Sequence, residues 1–395
     1  MTAREYPVFT VTPKAERSLR AGHPWVYGEE VTAVEGAYQN GDMVDVVSNK
    51  GRYLGTGWVN DHSKIRVRII SRNANDTFDE AFFRRRVLYA LNYRKTVMGP
   101  DQFPGLTVDR FENILVTQVL SLGMERRKDW VYRALVELLR EDGEQIDAIY
   151  ERNDVTIRTL EGLEQGKGFY QMEGLKTDLS GHVTITENRI KYDVDYMEGQ
   201  KTGFFLDQKY NRQAAAKLAR GRRVLDCFTH TGAFALNAAA AGAEHVTAVD
   251  VSAFALELAA ENGKRNGLTN LDYKCADVFD LLTEMAKEKK CDYDYIILDP
   301  PAFTKSRATA KNAYHGYKEI NRKAMRLLPR GGYLATCSCS HFMTDEMFRK
   351  MLQEAALDAG VTLRQIEARQ QAPDHPILPE VPETDYLKFY LLQVV

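Results

Sequence analysis

The stretch VLDCFTHTGAFALNAAAAGAEHVTAVD, residues 224–250, decides the fold class of this chain. A short apolar strand is followed by a turn of small residues, an alanine-rich helix and a second apolar strand. Alternation of strands and helices is typical of a parallel sheet that is covered by helices on both faces. We therefore predict an α/β domain with a doubly wound, Rossmann-like sheet.

The same alternation continues to the end of the chain. A loop rather than a helix joins the last two predicted strands, which indicates that the final strand is antiparallel. The sequence thus predicts a seven-stranded sheet with strands at residues 224–228, 245–251, 271–276, 295–298, 333–339, 363–368 and 386–394.

Two smaller domains are predicted before this sheet. Residues 1–75 contain short strands and turns, with one helical turn at 14–20 and a hairpin within 42–59, as in a small β-barrel. Residues 76–185 are predicted to form an α+β domain. Its elements are a helix at 79–97 that ends at Gly99-Pro100, a hairpin at 106–120, a helix at 125–141 and strands at 146–151 and 155–159. We place the sheet domain at residues 186–395.

Composition excludes several classes of protein. The 395 residues are 44% hydrophobic and 27% charged, as in a folded globular chain, and the net charge of −2 does not by itself indicate a nucleic-acid partner. No apolar run reaches the ~18 residues of a membrane span, and the N-terminus lacks a signal peptide pattern. The five cysteines are few and odd in number, which favours reduced thiols and a cytoplasmic protein.

Acidic residues follow the predicted strands at the edge where doubly wound sheets bind ligands. Asp226 begins the first turn, Asp250 ends the second strand at the spacing of a ribose-binding acid, and Asp277 follows the third strand. The turn from Asp226 to Gly232 has one glycine, whereas a pyrophosphate needs several bare amides. S-adenosylmethionine is therefore favoured, with NAD or another nucleotide as the alternative.

The fourth predicted strand ends in Asp299-Pro300-Pro301-Ala302-Phe303. Two prolines fix the backbone there, so the Asp299 carboxyl and the Phe303 ring are expected in a rigid turn where a flat base could stack and be hydrogen-bonded. A proline turn that merely caps the strand explains the prolines but not the acid.

Two cysteines, Cys337 and Cys339, point to the same face near the end of the fifth strand. No second cysteine pair lies at zinc-ligand spacing, so no metal is expected. Cys339 lies nearer the carboxyl edge and is the better nucleophile. A thiolate is needed if a methyl group goes to C5 of a pyrimidine, because addition at C6 activates C5. The alternative is that both cysteines are only buried thiols, which periodicity leaves open for Cys337.

Seven motifs together resemble the bacterial family of large-subunit ribosomal RNA cytosine-C5 methyltransferases with an N-terminal PUA domain. The resemblance covers essentially the whole chain, and DPPxF alone is shared with guanine and adenine N-methyltransferases. The motifs are HPWVYGE (23–29), LTVDRFENILV (106–116), GQKTGFFLDQKYNR (199–212), LDCFTHTGAF (225–234), DPPAF (299–303), CSCS (337–340) and QAPDHP (371–376).

The resemblance implies a PUA barrel that binds RNA and a class I methyltransferase domain that uses S-adenosylmethionine. The expected reaction forms 5-methylcytosine in 23S ribosomal RNA, free or in a precursor particle, with Cys339 and Asp299 as catalytic residues. A homodimer is one expected assembly. RNA cytosine methyltransferases of another family use a second cysteine after the strand-four prolines to help release product, but this chain has Ala302 there.

The expected binding residues fall into two groups. The cofactor-binding set is Phe204, Phe205, Asp207, Gln208, Asp226, Phe228, Thr229, Thr231, Gly232, Asp250, Asp277, Val278 and Asp299. The substrate-binding set is Arg212, Pro300, Phe303, His375, Lys64, Arg66 and Arg68. The run from Arg84 to Arg86 is a further candidate for phosphate contacts, and His375 equally suits a role in stabilising its turn.

Two other functions remain open from the sequence. The first is N-methylation of guanine or adenine, which needs the Asp299 motif but no thiol. The second is a non-catalytic RNA-binding protein of ribosome assembly that keeps the fold.

Overall fold

The computed structural model describes residues 5–96, 104–288, 291–304 and 306–395. The chain forms two compact units. Unit 1 comprises Met1–Thr184, Val194–Phe204 and Leu378–Pro382, and unit 2 comprises Ile185–Asp193, Phe205–Ile377 and Glu383–Val395. The first two predicted domains fall in the same unit, and their mutual boundary stays a prediction. No helix among the described residues is both long and apolar enough to cross a membrane.

The N-terminal part of unit 1 is a six-stranded sheet in the order β2-β6-β5-β4-β1-β3. The predicted helical turn and hairpin are present, and alternate apolar side chains of the strands form a buried core. The elements are β1 Val8–Val11, α1 Pro13–Arg20, β2 Trp25–Tyr27, β3 Val31–Glu35, β4 Met43–Ser48, β5 Tyr53–Val59 and β6 Ile65–Ser71.

The rest of unit 1 packs helices on a four-stranded sheet in the order β10-β9-β8-β7. The predicted strand at 155–159 is wrong, because Thr156–Glu161 forms a 3₁₀ helix. The predicted helix end at Gly99-Pro100 lies outside the described residues. The elements are α2 Glu80–Thr96, β7 Leu106–Phe111, β8 Ile114–Val119, α3 Leu122–Glu125, α4 Lys128–Glu141, β9 Ala148–Arg152 and β10 Lys167–Phe169.

Unit 2 contains the predicted seven-stranded sheet. A hairpin of β11 His182–Glu187 and β12 Ile190–Asp195 precedes it and has residues in both units. The elements that follow are α5 Lys209–Ala216, β13 Arg223–Cys227, α6 Ala233–Ala240, β14 His245–Asp250, α7 Ala253–Arg265, β15 Leu271–Cys275, α8 Val278–Glu288, β16 Tyr295–Leu298, α9 Ala310–Leu327, β17 Tyr333–Ser338, α10 Asp345–Ala359, β18 Leu363–Arg369 and β19 Lys388–Val394.

The strand order in this sheet is β15-β14-β13-β16-β17-β19-β18, and β19 is antiparallel to both of its neighbours. Helices α8, α9 and α10 contribute to one apolar core, and α5 and α6 contribute to another. The doubly wound α/β fold is therefore confirmed. Strand order reverses between β13 and β16, and such a switch point opens a crevice at the carboxyl ends of the strands.

A glycine in α3 tests the packing of unit 1. A Cβ added at Gly123 would lie 1.9 Å from Cγ of Trp58, which is 1% exposed. Gly123→Ala should therefore destabilise the protein by about 1–3 kcal/mol or more through overpacking, measured as the free energy of unfolding in urea. Gly168→Ala in β10 is the control, because a Cβ there meets nothing within 4 Å. Equal stability of the two variants would contradict the packing described.

Candidate functional site

The turn between β13 and α6 has a strained backbone. Phe228 has φ 63° and His230 has φ 52°, and Gly232 follows with φ 83°. The two non-glycine residues each cost about 1–3 kcal/mol in this left-handed region, and such strain persists where the surroundings enforce it, often at functional sites. The His230 N–H donates to Asp250 Oδ2 at 2.9 Å and the Thr229 N–H donates to the Val249 carbonyl at 2.9 Å. The end of β14 therefore holds this turn in place.

Asp250 lies at the end of β14 and is half-buried. Its Oδ1 accepts from the Ser252 N–H at 2.9 Å, while Oδ2 accepts from His230. A carboxylate oxygen can accept more than one hydrogen bond, so both oxygens keep capacity for ligand hydroxyls. The carboxylate can fix the turn and bind a ribose at the same time.

Asp226 is fully buried at the end of β13. The Thr229 hydroxyl donates to its Oδ2 at 2.6 Å, and Oδ1 has no hydrogen-bond partner among the described residues. Burial raises the pKa of Asp226 to about 7, and the charge of Asp299 adds to this rise. This carboxyl is therefore close to half-protonated near neutral pH in the ligand-free protein.

Asp299 follows β16 and belongs to a polar network with α5. Gln208 Nε2 donates to Asp299 Oδ1 at 3.0 Å, and Asn211 Nδ2 donates to Gln208 Oε1 at 2.7 Å. Burial raises the pKa of Asp299 to about 7, the charge of Asp207 raises it further, and a hydrogen bond with the Cys337 thiol opposes the rise. Asp299 can thus donate or accept a hydrogen bond near neutral pH.

The two cysteines of β17 have different surroundings. Cys337 is fully buried, and burial together with the charge of Asp299 raises its pKa well above the usual thiol range. Cys339, just beyond the strand, is half-buried, and its Sγ lies 4.0 Å from the Pro300 carbonyl oxygen. The structure therefore brings Cys339 beside the Asp299-Pro300 turn and keeps Cys337 as a protonated thiol.

Asp207 and Phe205 lie at the start of unit 2. Asp207 Oδ2 accepts from the Tyr386 hydroxyl at 2.8 Å, and its Oδ1 has no hydrogen-bond partner among the described residues. The Phe205 ring packs edge-on to the His230 ring with centroids 5.3 Å apart. Phe204 belongs to unit 1, where it is 4% exposed.

Other predicted side chains have structural contacts. Asp277 Oδ1 caps α8 by accepting from the Phe279 N–H at 2.8 Å, while Val278 is 3% exposed and belongs to the core. Val278 can therefore offer a ligand its backbone but not its side chain. Thr231, like Thr229, is mostly buried. The Phe303 ring rests on the Tyr317 ring at 4.5 Å, which fixes its orientation.

Arg212 does not face an open substrate site. It is 2% exposed and forms a double hydrogen bond with Glu187, at 2.7 and 2.9 Å, and a third with the Phe205 carbonyl at 2.8 Å. Arg212 therefore does not contact substrate as expected; it holds the backbone of Phe205 in position. His375 bonds to Asp374 at 3.0 Å within a turn, which agrees with its second interpretation.

The expected phosphate contact of Arg68 is corrected as well. The side chain is buried and forms a double contact with Glu161, at 2.7 and 3.2 Å, and Asn60 Nδ2 donates to the same carboxylate at 2.9 Å. The alternation of faces is kept, since Val67 and Ile69 lie in the core of the six-stranded sheet, but the opposite face of β6 is covered by the second part of unit 1, which contains Glu161. Arg68 stabilises unit 1 and is not presented to a phosphate.

The other two residues of the predicted basic face, Lys64 and Arg66, differ from each other in exposure. Arg66 is half-buried and donates to Asp61 at 2.8 Å and to the Tyr38 hydroxyl at 2.9 Å. Lys64 is exposed. Lys64 is thus the residue of the predicted basic face that is most available to a phosphate.

The arginines of α2 are also engaged. Arg84 pairs with Glu141 at 2.7 Å, Arg85 pairs with Asp76 at 3.3 Å, and Arg86 donates to a backbone carbonyl of β6. The pairs of Arg84 and Arg85 are on the surface and weak, so these two residues can exchange partners. Arg86 has a structural role.

Sequence reasoning missed several residues of the site. Asn211 and His230 lie inside two of the quoted motifs but were assigned no role, and Tyr317 and Lys388 lie outside all seven motifs. The hydrogen bonds and ring contacts that join them to the site come from separate elements of unit 2. Tyr386 and Lys388 gave no sequence signal, because their closeness to the site depends on β19 pairing with β17.

A doubly wound sheet with a one-glycine turn and acids at the ends of adjacent strands is typical of domains that bind a cofactor containing a nucleoside. Residues 9–72 match the model of a PUA-like domain, and residues 170–392 match that of the S-adenosylmethionine-dependent methyltransferases. The chain belongs to the S-adenosylmethionine-dependent methyltransferase family. The expected PUA-like domain and cofactor class are thereby confirmed.

Similar proteins cover nearly the whole chain. It is 39% identical to Ribosomal RNA large subunit methyltransferase I of Pseudoalteromonas atlantica, over 98% of this chain and 99% of that protein. The identity to the protein of the same name from Shewanella denitrificans is 41%, over 97% and 98%. A putative methyltransferase from Streptococcus mutans has the same fold, with a TM-score of 0.81 at 22% identity over 98% of this chain and 100% of that one.

The Arg68 pair provides a test of the corrected role. Arg68→Ala leaves the Glu161 carboxylate buried without its cation, so unfolding should become easier by about 3–5 kcal/mol. Lys64→Ala should leave the stability unchanged because its side chain is exposed. Urea unfolding of both variants decides the matter. An Arg68→Ala variant as stable as the Lys64→Ala variant would show that the buried pair does not support unit 1.

The buried acids also predict a pH dependence. The pKa of Asp226 in the folded state, about 7, exceeds the ordinary value of 3.8, so its contribution to stability is complete below about pH 4 and is lost as the pH rises through 7. Asp226→Asn should therefore reduce the fall in melting temperature between about pH 5 and pH 8 in the ligand-free protein. The control is the exposed Glu284, and Glu284→Gln should keep the parent's dependence. Parallel curves for Asp226→Asn and the parent would refute the prediction.

Proposed function

We propose that this methyltransferase forms 5-methylcytosine in large-subunit ribosomal RNA through a covalent adduct of Cys339. The observation that carries the proposal is the position of Cys339, whose Sγ lies 4.0 Å from the carbonyl oxygen of Pro300, the residue that follows Asp299. Methyl transfer to a ring nitrogen needs no thiol, whereas C5 of cytosine becomes nucleophilic only after a nucleophile has added to C6.

The residues at the carboxyl edge fit S-adenosylmethionine. Asp250 keeps lone pairs for the ribose hydroxyls, and Asp277 bonds its own helix through Oδ1, which leaves Oδ2 for an adenine amino group. Buried Oδ1 atoms of Asp226 and Asp207 have no partner among the described residues. Such unpaired acceptors favour a cofactor that carries a cationic sulfonium and an ammonium group and disfavour a pyrophosphate. The Phe205 ring and the Thr229-Gly232 turn complete this side of the site.

The catalytic sequence begins with Cys339. Its thiolate forms a bond to C6 of cytosine, and the C5–C6 electron pair moves onto C5 and toward N3. When bound, S-adenosylmethionine would supply the electrophilic methyl group for C5, with S-adenosylhomocysteine as the leaving group. A base then removes the C5 proton, the C5–C6 double bond re-forms, and the Cys339–C6 bond breaks to return the thiolate.

Asp299 supports the addition step. Because its pKa is raised to about 7 by burial, a fraction of the carboxyl is neutral and can donate its proton toward cytosine N3, while an ionised carboxylate accepts from the exocyclic amine. Gln208 and Cys337 fix the carboxyl from the other side. The charge that develops on the ring is thereby stabilised.

The substrate assignment rests on the relatives and on unit 1. Two relatives at 39% and 41% identity are named as methyltransferases of large-subunit ribosomal RNA. The PUA-like domain would hold the RNA, with exposed Lys64 as a phosphate contact. We place the reaction in the cytoplasm, where this RNA and reduced thiols occur together. The single chain gives no support to the expected homodimer, so we do not propose one.

Removal of the nucleophile tests the reaction. Cys339→Ala should lower the methylation rate on ribosomal RNA from cells that lack the gene by about 10³-fold or more, measured with radiolabelled S-adenosylmethionine. Cys291→Ala is the matched control, since Cys291 lies before β16, at the opposite edge of the sheet. RNA that contains 5-fluorocytidine should trap a covalent complex with the parent and not with Cys339→Ala, because the C5–F bond blocks proton loss.

Each alternative predicts a different result. Full turnover by Cys339→Ala, with the product mapped to a ring or amino nitrogen, would replace the covalent mechanism with N-methylation. Absence of S-adenosylmethionine binding by calorimetry would favour a non-catalytic RNA-binding role.

A further inference from the structure

A buried lysine lies beside the proposed nucleophile. Lys388, the first residue of β19, is 3% exposed and is paired across the sheet with Ser338, the last residue of β17. Its Nζ donates to the carbonyl oxygens of Ser340 and Tyr386, both at 2.7 Å. Lys388 thus contacts the residues on both sides of Cys339.

The charge of Lys388 has no carboxylate partner within 4 Å among the described residues. An ammonium has three N–H groups, and the two hydrogen bonds of Lys388 go to neutral carbonyls. Burial of a cation is costly unless an anion or strong acceptors compensate it. An anion close to Cys339 would therefore be stabilised by this ammonium.

The anionic groups that act on Lys388 are Asp385, Cys339 and Asp345. Asp345 is paired with Arg349 at 2.9 Å, and Asp385 accepts from Gln370 Nε2 at 3.2 Å. Asp385 keeps its charge and acts most strongly on Lys388, yet it forms no ion pair with the ammonium within 4 Å. A Cys339 thiolate would add a second anion near the ammonium.

We propose that Lys388 is a positioning residue that stabilises Cys339 as a thiolate and fixes the loop that carries it. The inference rests on the proposed function, because it assigns a role to the nucleophile of that reaction. It also explains why the two cysteines differ. The Cys337 thiol is hydrogen-bonded to the carboxyl of Asp299, whereas Cys339 lies between two residues, Ser338 and Ser340, that Lys388 contacts.

The loop itself is held from two directions. Lys388 bonds to the Ser340 carbonyl, and the Tyr317 hydroxyl bonds to Ser340 Oγ at 2.9 Å. Burial lowers the pKa of Lys388 to about 8, and the anions Asp385, Cys339 and Asp345 oppose that shift. The ammonium is therefore present below about pH 8, and its support for the thiolate is lost as the pH rises above that value.

Alkylation of Cys339 measures this effect without RNA or cofactor. The full-length protein is treated with iodoacetamide between about pH 6 and pH 9, where thiolate is the reacting species, and the modified peptides are quantified by mass spectrometry. Lys388→Met should slow alkylation of Cys339 near pH 7 by about tenfold, which corresponds to a shift of one pH unit in the profile. Lys388→Arg keeps a positive charge and should stay close to the parent.

Two further variants separate charge from folding. Lys388→Gln keeps an N–H donor for the Ser340 carbonyl but no charge, so it should resemble Lys388→Met, and it replaces that variant if Met does not fold. Lys323→Met is the matched control, because Lys323 is also buried in unit 2 but bonds to Glu319 and Thr283. It should leave the Cys339 profile unchanged.

Three results would overturn the inference. These are a parent-like profile in folded Lys388→Gln or Lys388→Met, an equal shift in Lys323→Met, or a Lys388→Arg profile as slow as that of Lys388→Gln. The proposed function fails separately, through full methylation by Cys339→Ala. A charge-dependent profile in an enzyme that methylates without Cys339 would therefore retain the lysine–thiolate pair and reject only the reaction.

Discussion

Parallel, in-register pairing of β13 with β14 and β16 is the constraint on which the site depends. Cys227 lies opposite Val249 on one side and Leu298 on the other, so the next residues of the neighbouring strands, Asp250 and Asp299, leave the sheet at one level. Leu298 is in turn opposite Thr336, which sets Asp299 beside Cys337. One hydrogen-bonding register thus determines which carboxyl meets which thiol, and a shift by one residue would reverse the faces.

Clustering of acids at this edge has an electrostatic cost. Burial and the charges of neighbouring acids both raise the pKa of Asp226 and of Asp299 to about 7. Bound cationic groups would reverse the second contribution, since an opposite charge favours the ionised carboxyl. In the ligand-free site the neighbouring acids therefore repel one another, and a bound sulfonium and ammonium would relieve that repulsion.

Much of the fold was predictable because it depends on local patterns. Apolar strands, small-residue turns and the motif Asp299-Pro300 identified unit 2 and its functional edge from the sequence. The buried partners of Arg68 and Arg212 were not predictable. Glu161 lies far along the chain from Arg68, and Glu187 lies in the β11–β12 hairpin whereas Arg212 lies in α5. A basic residue on an alternating strand looks the same whether it meets a phosphate or a carboxylate, and only packing distinguishes them. The proposed role of Lys388 was not predictable from the sequence for the same reason.

The position of β19 also affects how the protein is made. This strand lies between β17 and β18, which do not pair with each other, although both precede it in the chain. During synthesis the two earlier strands therefore present unpaired edges until β19 has been synthesised, and such edges invite wrong pairing. The same late segment carries Lys388. Cys339 would thus be synthesised before Lys388, the residue proposed to stabilise its thiolate. The Cys339 thiol would therefore stay less reactive until β19 pairs with β17.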